Sequence, residues 1–272
     1  MSKNYVYTLI IVMASILYST NLSAEEYGLK ILDVDVTSSN CTDLSVINGV
    51  TGKISYVPES KQLILNNVTI ESQKAVIGIW NISIEGLTVV VEGNCKITTV
   101  NDGIVFYRPS NIEGKGTLTI DSEKQCAIFM NSSALTISNC ILNAKGKWGI
   151  SGYEGTEEEK LTINNAHVKA QGDGTQGSIC DIASLALVNC SITIPDGAAF
   201  NQKLKGVALK NNLVKQQIEI TPETSHIESM ATTDGTEIIA VYNTAGQKLP
   251  DMQSGLNIVK TANGITKKYW MK

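Results

Sequence analysis

Leu135-Thr136-Ile137-Ser138-Asn139-Cys140 decides the fold, because it does not stand alone. The same order returns in Leu63-Ile64-Leu65-Asn66-Asn67-Val68, Leu161-Thr162-Ile163-Asn164-Asn165-Ala166 and Leu185-Ala186-Leu187-Val188-Asn189-Cys190. The shared pattern is Leu, any residue, Ile or Leu, any residue, Asn, then a small or medium apolar side chain. Weaker copies start at Leu87 and Leu118, so that successive leucines lie 24, 31, 17, 26 and 24 residues apart. Apolar residues alternate with period two inside each copy, which is a strand pattern, and irregular spacing suits a solenoid coil with loops of unequal length. A second short string follows in several copies: Val76-Ile77-Gly78-Ile79, Asp102-Gly103-Ile104, Cys126-Ala127-Ile128, Trp148-Gly149-Ile150 and Gly177-Ser178-Ile179. Each coil therefore carries at least two strands joined at Gly or Asn corners.

Strands this short are unstable alone. Stacking them about 4.8 Å apart pairs every backbone edge and buries the alternating Leu and Ile in a continuous interior. The expected fold is all-β: a right-handed parallel β-helix of about five to six coils with a small C-terminal β module. The corner Asn has its own reason, since Asn tolerates the left-handed backbone that a tight turn needs, and stacked amides can bond from coil to coil. Asn67, Asn139, Asn165 and Asn189 are the expected ladder. A β-sandwich also has many short alternating strands, but does not demand one fixed motif in register.

Working outward, Met1 to Lys3 is a short cationic start and Tyr5 to Tyr18 a nearly continuous apolar run, followed by small residues up to Ala24. That order reads as a secretory signal peptide over residues 1–24, too short in its apolar part for a membrane span. Residues 25–58 alternate like strands but lack the coil motif, as a solenoid cap would. The β-helix is expected over 59–220 and a linker over 221–235. Residues 236–272 hold three or four Gly-broken strands, a module whose core is marginal by itself. No transmembrane segment is expected after cleavage, and the expected location is secreted, periplasmic or on the outer cell surface.

An exported chain with an even number of cysteines invites disulfides. Cys140 and Cys190 occupy equivalent positions with the Ala166 coil between them, hence about 9.6 Å apart, beyond bridging distance. Cys126 and Cys180 flank the Trp148 coil in the same way. All are read as small apolar interior residues. The Asn-x-Ser/Thr triplets at Asn67, Asn81, Asn131 and Asn189 follow from corner chemistry without glycosylation.

Composition bounds the chemistry. The net charge is -4, charged residues are 18% of the chain against roughly a quarter in an average protein, and Arg108 is the single arginine. Such a chain has no general attraction for nucleic acid and cannot build bidentate Arg clusters. Asp102, Asp121, Glu123, Asp173 and Asp181 form no pair in matching register, and His167 falls on a solvated strand face. Glu154, Glu157, Glu158 and Glu159 read as a solvated acidic insertion. No catalytic residue, metal ligand or cofactor is assigned, and the balance leans away from an enzyme. The ligand-binding candidates are Trp80, Tyr107, Trp148 and Tyr153, aromatic rings near coil corners that can stack on sugar faces, with Arg108 as a possible partner for a sugar acid. Trp148 stands where other coils have Cys126 or Cys180, so interior packing is its alternative role.

Tyr242-Asn243 with Gly246-Gln247-Lys248, then Gly255-Leu256-Asn257-Ile258-Val259, Asn263-Gly264 and the lysine-bearing end resemble the C-terminal sorting domain of proteins exported by anaerobic Gram-negative gut bacteria. The final Tyr269-Trp270-Met271-Lys272 is less aliphatic than that pattern. Residues 29–200 are similar to secreted, carbohydrate-binding-domain-like proteins of unknown function from the same bacteria. The strings Val36-Thr37-Ser38-Ser39-Asn40-Cys41, Lys145-Gly146-Lys147-Trp148-Gly149-Ile150-Ser151-Gly152 and Gly177-Ser178-Ile179-Cys180-Asp181-Ile182 carry that resemblance. It implies a surface address and, by association, a polysaccharide or surface-glycan partner. The expectation is a non-enzymatic glycan-binding, structural or adhesive protein; the alternative is a polysaccharide lyase or glycoside hydrolase.

Overall fold

The computed structural model describes residues 24–223 and 237–271. The leader expected over 1–24 lies outside the described residues but for Ala24, as does most of the linker expected over 221–235, with His226. The described residues contain no α-helix. They form a parallel β-solenoid of about five turns and, separately, a small antiparallel sheet.

Each coil has three faces. Face I is built by the first half of Gln62–Glu71, then Leu87–Glu92, Ser110–Gly114, Leu135–Ser138, Lys160–Asn164 and Ser184–Val188. Face II follows across the Asn corner, from the second half of Gln62–Glu71 through Asn94–Thr99, Thr117–Ser122, Ile141–Lys145 and His167–Gln171. Face III comprises Ile79–Asn81, Ile104–Phe106, Cys126–Met130, Trp148–Gly152 and Ile179–Cys180. The interior is a set of columns: Leu63, Val89, Ile112, Ile137 and Ile163 stack on face I, and Ile79, Ile104, Ile128, Ile150 and Ile179 on face III, all fully buried. Fully burying each such side chain is worth about 1.5–3 kcal/mol, which no single short strand could supply for the whole coil.

The register corrects two of the sequence copies. Leu118 is not on face I but on face II, stacked between Cys95 and Leu142. The face I position that Leu118 was expected to fill belongs to Ser110, between Leu87 and Leu135. Ser110 is buried because its hydroxyl donates to the Arg108 carbonyl (2.8 Å) and accepts from Asn81 Nδ2 (3.0 Å). A polar residue thus fills a leucine column because it is fully paired. Leu63 likewise stacks on Val89 rather than Leu87.

All four corner asparagines have the left-handed backbone, with φ between 47° and 55°. The amide ladder is shorter than expected. Asn165 Nδ2 donates to Asn139 Oδ1 (2.9 Å), whereas Asn67 Oδ1 accepts from the Asn94 backbone N–H (3.1 Å). Two coils separate Asn67 from Asn139, and their corners use Gly93 and Gly114 at positive φ, so no side-chain amide is there to continue the stack.

The six cysteines are free and buried. Cys41, Cys95, Cys140 and Cys190 belong to the interior cluster, but Cys126 and Cys180 do not. Those two lie on the outer side of face III. Cys180 is also out of register with Cys126: it pairs with Ser151, while Cys126 pairs with Trp148.

The first coil is closed by antiparallel strands, Glu26–Ile31 on face III and Val50–Val57 along Gln62–Glu71. At the other end Ile218–Pro222 inserts antiparallel between His167–Gln171 and Cys190–Ile194. His167 is not merely solvated there. Its Nε2 lies 2.7 Å from Glu219 Oε1, and Lys169 Nζ approaches the same oxygen at 3.6 Å, tying the closing strand to the last full coil. Within 237–271, Ile238–Tyr242, Lys248–Leu249, Gly255–Thr261 and Thr266–Met271 make a four-stranded antiparallel sheet around Ile238, Val241 and Val259.

Candidate functional site

The outer surfaces of the three faces differ sharply. A row along face I reads Gln62, Thr88, Asn111, Thr136 and Thr162. A row along face II reads Lys96, Thr119, Asn143 and Lys169. The corresponding row on face III reads Trp80, Val105, Phe129, Ser151 and Cys180. Val105 points away from the interior yet is only 2% exposed, because its neighbours in the row are aromatic.

Small residues let this face form. The residue before each inward Ile is Gly78, Gly103, Ala127, Gly149 or Ser178, where the chain turns from face II to face III against the core. A Cβ on Gly103 would run into Ile120 and the Ala127 carbonyl. The residue before that one is thereby thrown to the outside, and in three successive coils it is Asp102, Cys126 and Trp148.

A concave pocket of about 320 Å³ opens here, lined by Asp102, Gln125, Cys126, Phe129, Trp148, Ser151, Gly152, Tyr153 and Asp181. Trp148 is half-buried in its wall, with Lys147 Nζ 4.7 Å from the ring centroid, and Tyr153 is 57% exposed at its rim. Of the sequence candidates, these two line the pocket. Trp80 and Tyr107 pack against each other instead, edge to face, with centroids 5.6 Å apart and rings at 81°. Arg108 is exposed, donates to the Tyr107 carbonyl (2.8 Å), and is not in the pocket wall.

The two carboxylates are differently held. Asp102 Oδ1 accepts from the Cys126 backbone N–H (3.0 Å), and burial raises its pKa above the usual carboxylate range despite that bond. Asp181 has a left-handed backbone, and its Oδ2 lies 3.5 Å from Ser151 Oγ and 3.4 Å from Cys180 Sγ. Burial, then the nearby Asp181, pushes the Cys180 thiol up to about 12; burial and Asp102 push Cys126 up as well. Both thiols are therefore protonated and poor nucleophiles at neutral pH. Among the described residues, no three His, Cys, Asp or Glu side chains are grouped to hold a metal ion.

One residue of the supposed solvated acidic loop has another role. Glu159 is fully buried, and its carboxylate accepts from the backbone N–H groups of Ser132 (3.0 Å), Tyr153 (2.8 Å), Glu154 (3.4 Å) and Thr156 (2.8 Å). It folds the 153–159 loop back on itself, pins it to the preceding coil and sets where Tyr153 leaves the backbone. Glu157 and Glu158 remain exposed, as the sequence suggested. The sequence signal was slight: Glu159 is the last acid of the run, immediately before the Lys160–Asn164 strand.

No known family, no curated protein and no solved structure matches this chain.

Proposed function

We propose that this is an exported, non-enzymatic β-helix protein that binds glycan on the outer side of face III, with Trp148 and Tyr153 as stacking rings. The pocket carries the reading: aromatic side chains beside two carboxylates and a serine, the combination that takes the apolar face of a pyranose while accepting from its hydroxyls. Two carboxylates line its wall against one neighbouring cation, Lys147, which is held over the Trp148 ring, so the balance of charge disfavours a uronate. The favoured ligands are neutral sugars and amino sugars. The export part of the proposal rests on the leader-like residues 1–24.

A glycan array spanning neutral, amino and uronate-bearing oligosaccharides tests it. Neutral or amino sugars should bind, and Trp148→Ala should weaken them by about tenfold or more, the loss of roughly 1.4 kcal/mol. Absence of binding to any glycan, or binding indifferent to both Trp148→Ala and Tyr153→Ala, contradicts the proposal. One observation favours a second reading as glycoside hydrolase: Asp102 and Asp181 line the same pocket, and the raised pKa of Asp102 suits a general acid. Release of reducing ends that disappears in Asp181→Asn would establish it.

A further inference from the structure

Resting on the glycan reading of the face III pocket, we infer that its ligand is a linear amino-sugar chain with free amines, laid along the solenoid axis so that one ammonium meets Asp102 and another Asp181. The two carboxylates line one pocket but come from opposite ends of a row of coils. Ile104, Ile128, Ile150 and Ile179 stack in order; Asp102 precedes the first and Asp181 follows the last. Three coil steps of about 4.8 Å set them about 14 Å apart along the axis. One ammonium does not bridge that span. A linear pyranose chain advances by about one coil step per ring, so about three linked rings reach from one carboxylate to the other, over Cys126, Phe129 and Trp148.

Both carboxylates lack a counter-charge. Asp102 Oδ1 accepts from the Cys126 backbone N–H (3.0 Å), and burial raises its pKa with no cation to offset the cost. Asp181 is served more poorly. The Ser151 hydroxyl, 3.5 Å from its Oδ2, has a nearer acceptor in the Gly152 carbonyl at 2.9 Å, which leaves the weak donor Cys180 Sγ at 3.4 Å. Among the described residues no lysine, arginine or histidine forms an ion pair with either carboxylate. Lys147 lies over the Trp148 ring, and its charge acts on Asp173, outside the pocket wall.

An ammonium supplies what this wall lacks. Its hydrogen bonds to a carboxylate are charge-assisted, roughly twice as strong as those between neutral groups. An acetylated amine keeps a neutral N–H and a hydroxyl brings no charge, so both forgo that gain. The rings choose among cationic chains: Trp148 and Tyr153 offer flat faces on which a rigid pyranose stacks, at a lower ordering cost than a flexible polyamine.

Calorimetric titration of residues 25–272 with β-1,4-linked glucosamine oligomers, from monomer to tetramer, and with the same lengths N-acetylated tests it, at a pH where the free amines are protonated. The glucosamine tetramer should bind about tenfold or more tighter than its acetylated counterpart. Affinity should climb from monomer to trimer, and added salt should weaken the charged series more than the acetylated one. Asp102→Asn and Asp181→Asn should each shrink the preference for the free amine. Equal affinity for the two series, or none for either beside a hit elsewhere on the array, overturns this inference and leaves the glycan reading standing; absence of binding to every glycan ends both. A monomer held as tightly as the trimer, a preference intact in both Asn variants, or spermine competing as strongly as the glucosamine tetramer overturns it too.

Discussion

Faces I and III are built on the same interior and present opposite exteriors. Both bury a column of apolar side chains with no accessible surface, yet the outer side of face I is a ladder of Thr and Asn while that of face III is built of Trp80, Phe129 and Trp148 packed about a buried Val105. The interior columns answer to stacking alone, which is why they repeat. The outer rows are free of that demand, so the one that departs from hydrophilic residues is where function is to be sought.

The comparison breaks most visibly if the shared interior is not shared. Ile137→Ala on face I and Ile128→Ala on face III should each destabilise by about 2–5 kcal/mol in urea unfolding, since both are fully buried. The outer Thr162→Ala should stay within about 0.5 kcal/mol. A cost at Ile128 far below that at Ile137 would mean face III is not part of the same core.

A smaller effect sharpens what holds face III's rim. Glu159→Gln replaces an acceptor-only carboxylate with an amide whose NH2 must meet backbone donors, and should cost about 1.5–3 kcal/mol. The specific readout is faster hydrogen exchange at Tyr153 and Thr156 with weaker glycan binding; unfolding cost without either change would make Glu159 purely structural.

The smallest effect concerns pH. Burial raises the Asp102 pKa, so between the ordinary carboxylate value and the raised one the folded chain holds a proton that the unfolded chain has lost. Stability therefore falls as pH rises through that window. Asp102→Asn keeps an oxygen for the Cys126 N–H and should raise the thermal midpoint slightly at neutral pH, with no gain below the ordinary carboxylate range. A lower midpoint at neutral pH would show that the ionised carboxylate is favoured.

Much of the fold was legible in the sequence because stacking forces repetition. Leu135, Leu161 and Leu185 align in the structure as they do in the sequence, and the four Asn corners carry the backbone conformation their residue type suggested. Leu118 fits the motif by residue type but belongs to face II, while Ser110, paired to Asn81 and the Arg108 carbonyl, is chemically satisfied in a leucine's place. The intervals of 31 and 17 were the trace of that error; with Ser110 they become 23 and 25. Of the site, Trp148 and Tyr153 were visible as aromatics at corners. Asp102 and Asp181 were not visible as wall-mates, because they come from different coils and only the register brings them to one pocket. Cys126 and Cys180 were assigned to the interior since a sequence shows that a small residue is apolar, not which side of a bent strand it occupies. Glu159 was lost among its neighbours because burial of one acid in a run leaves no pattern.

The most direct test of the central claim is a titration of residues 25–272 with a glycan selected from the array, followed by calorimetry and by backbone amide chemical shifts. Ligand-induced shifts confined to 102, 126–129, 148–153 and 181, with affinity lost in Trp148→Ala and kept in Thr162→Ala, is the result predicted. Shifts centred on the Thr and Asn rows of face I, with affinity lost in Thr162→Ala instead, would contradict it.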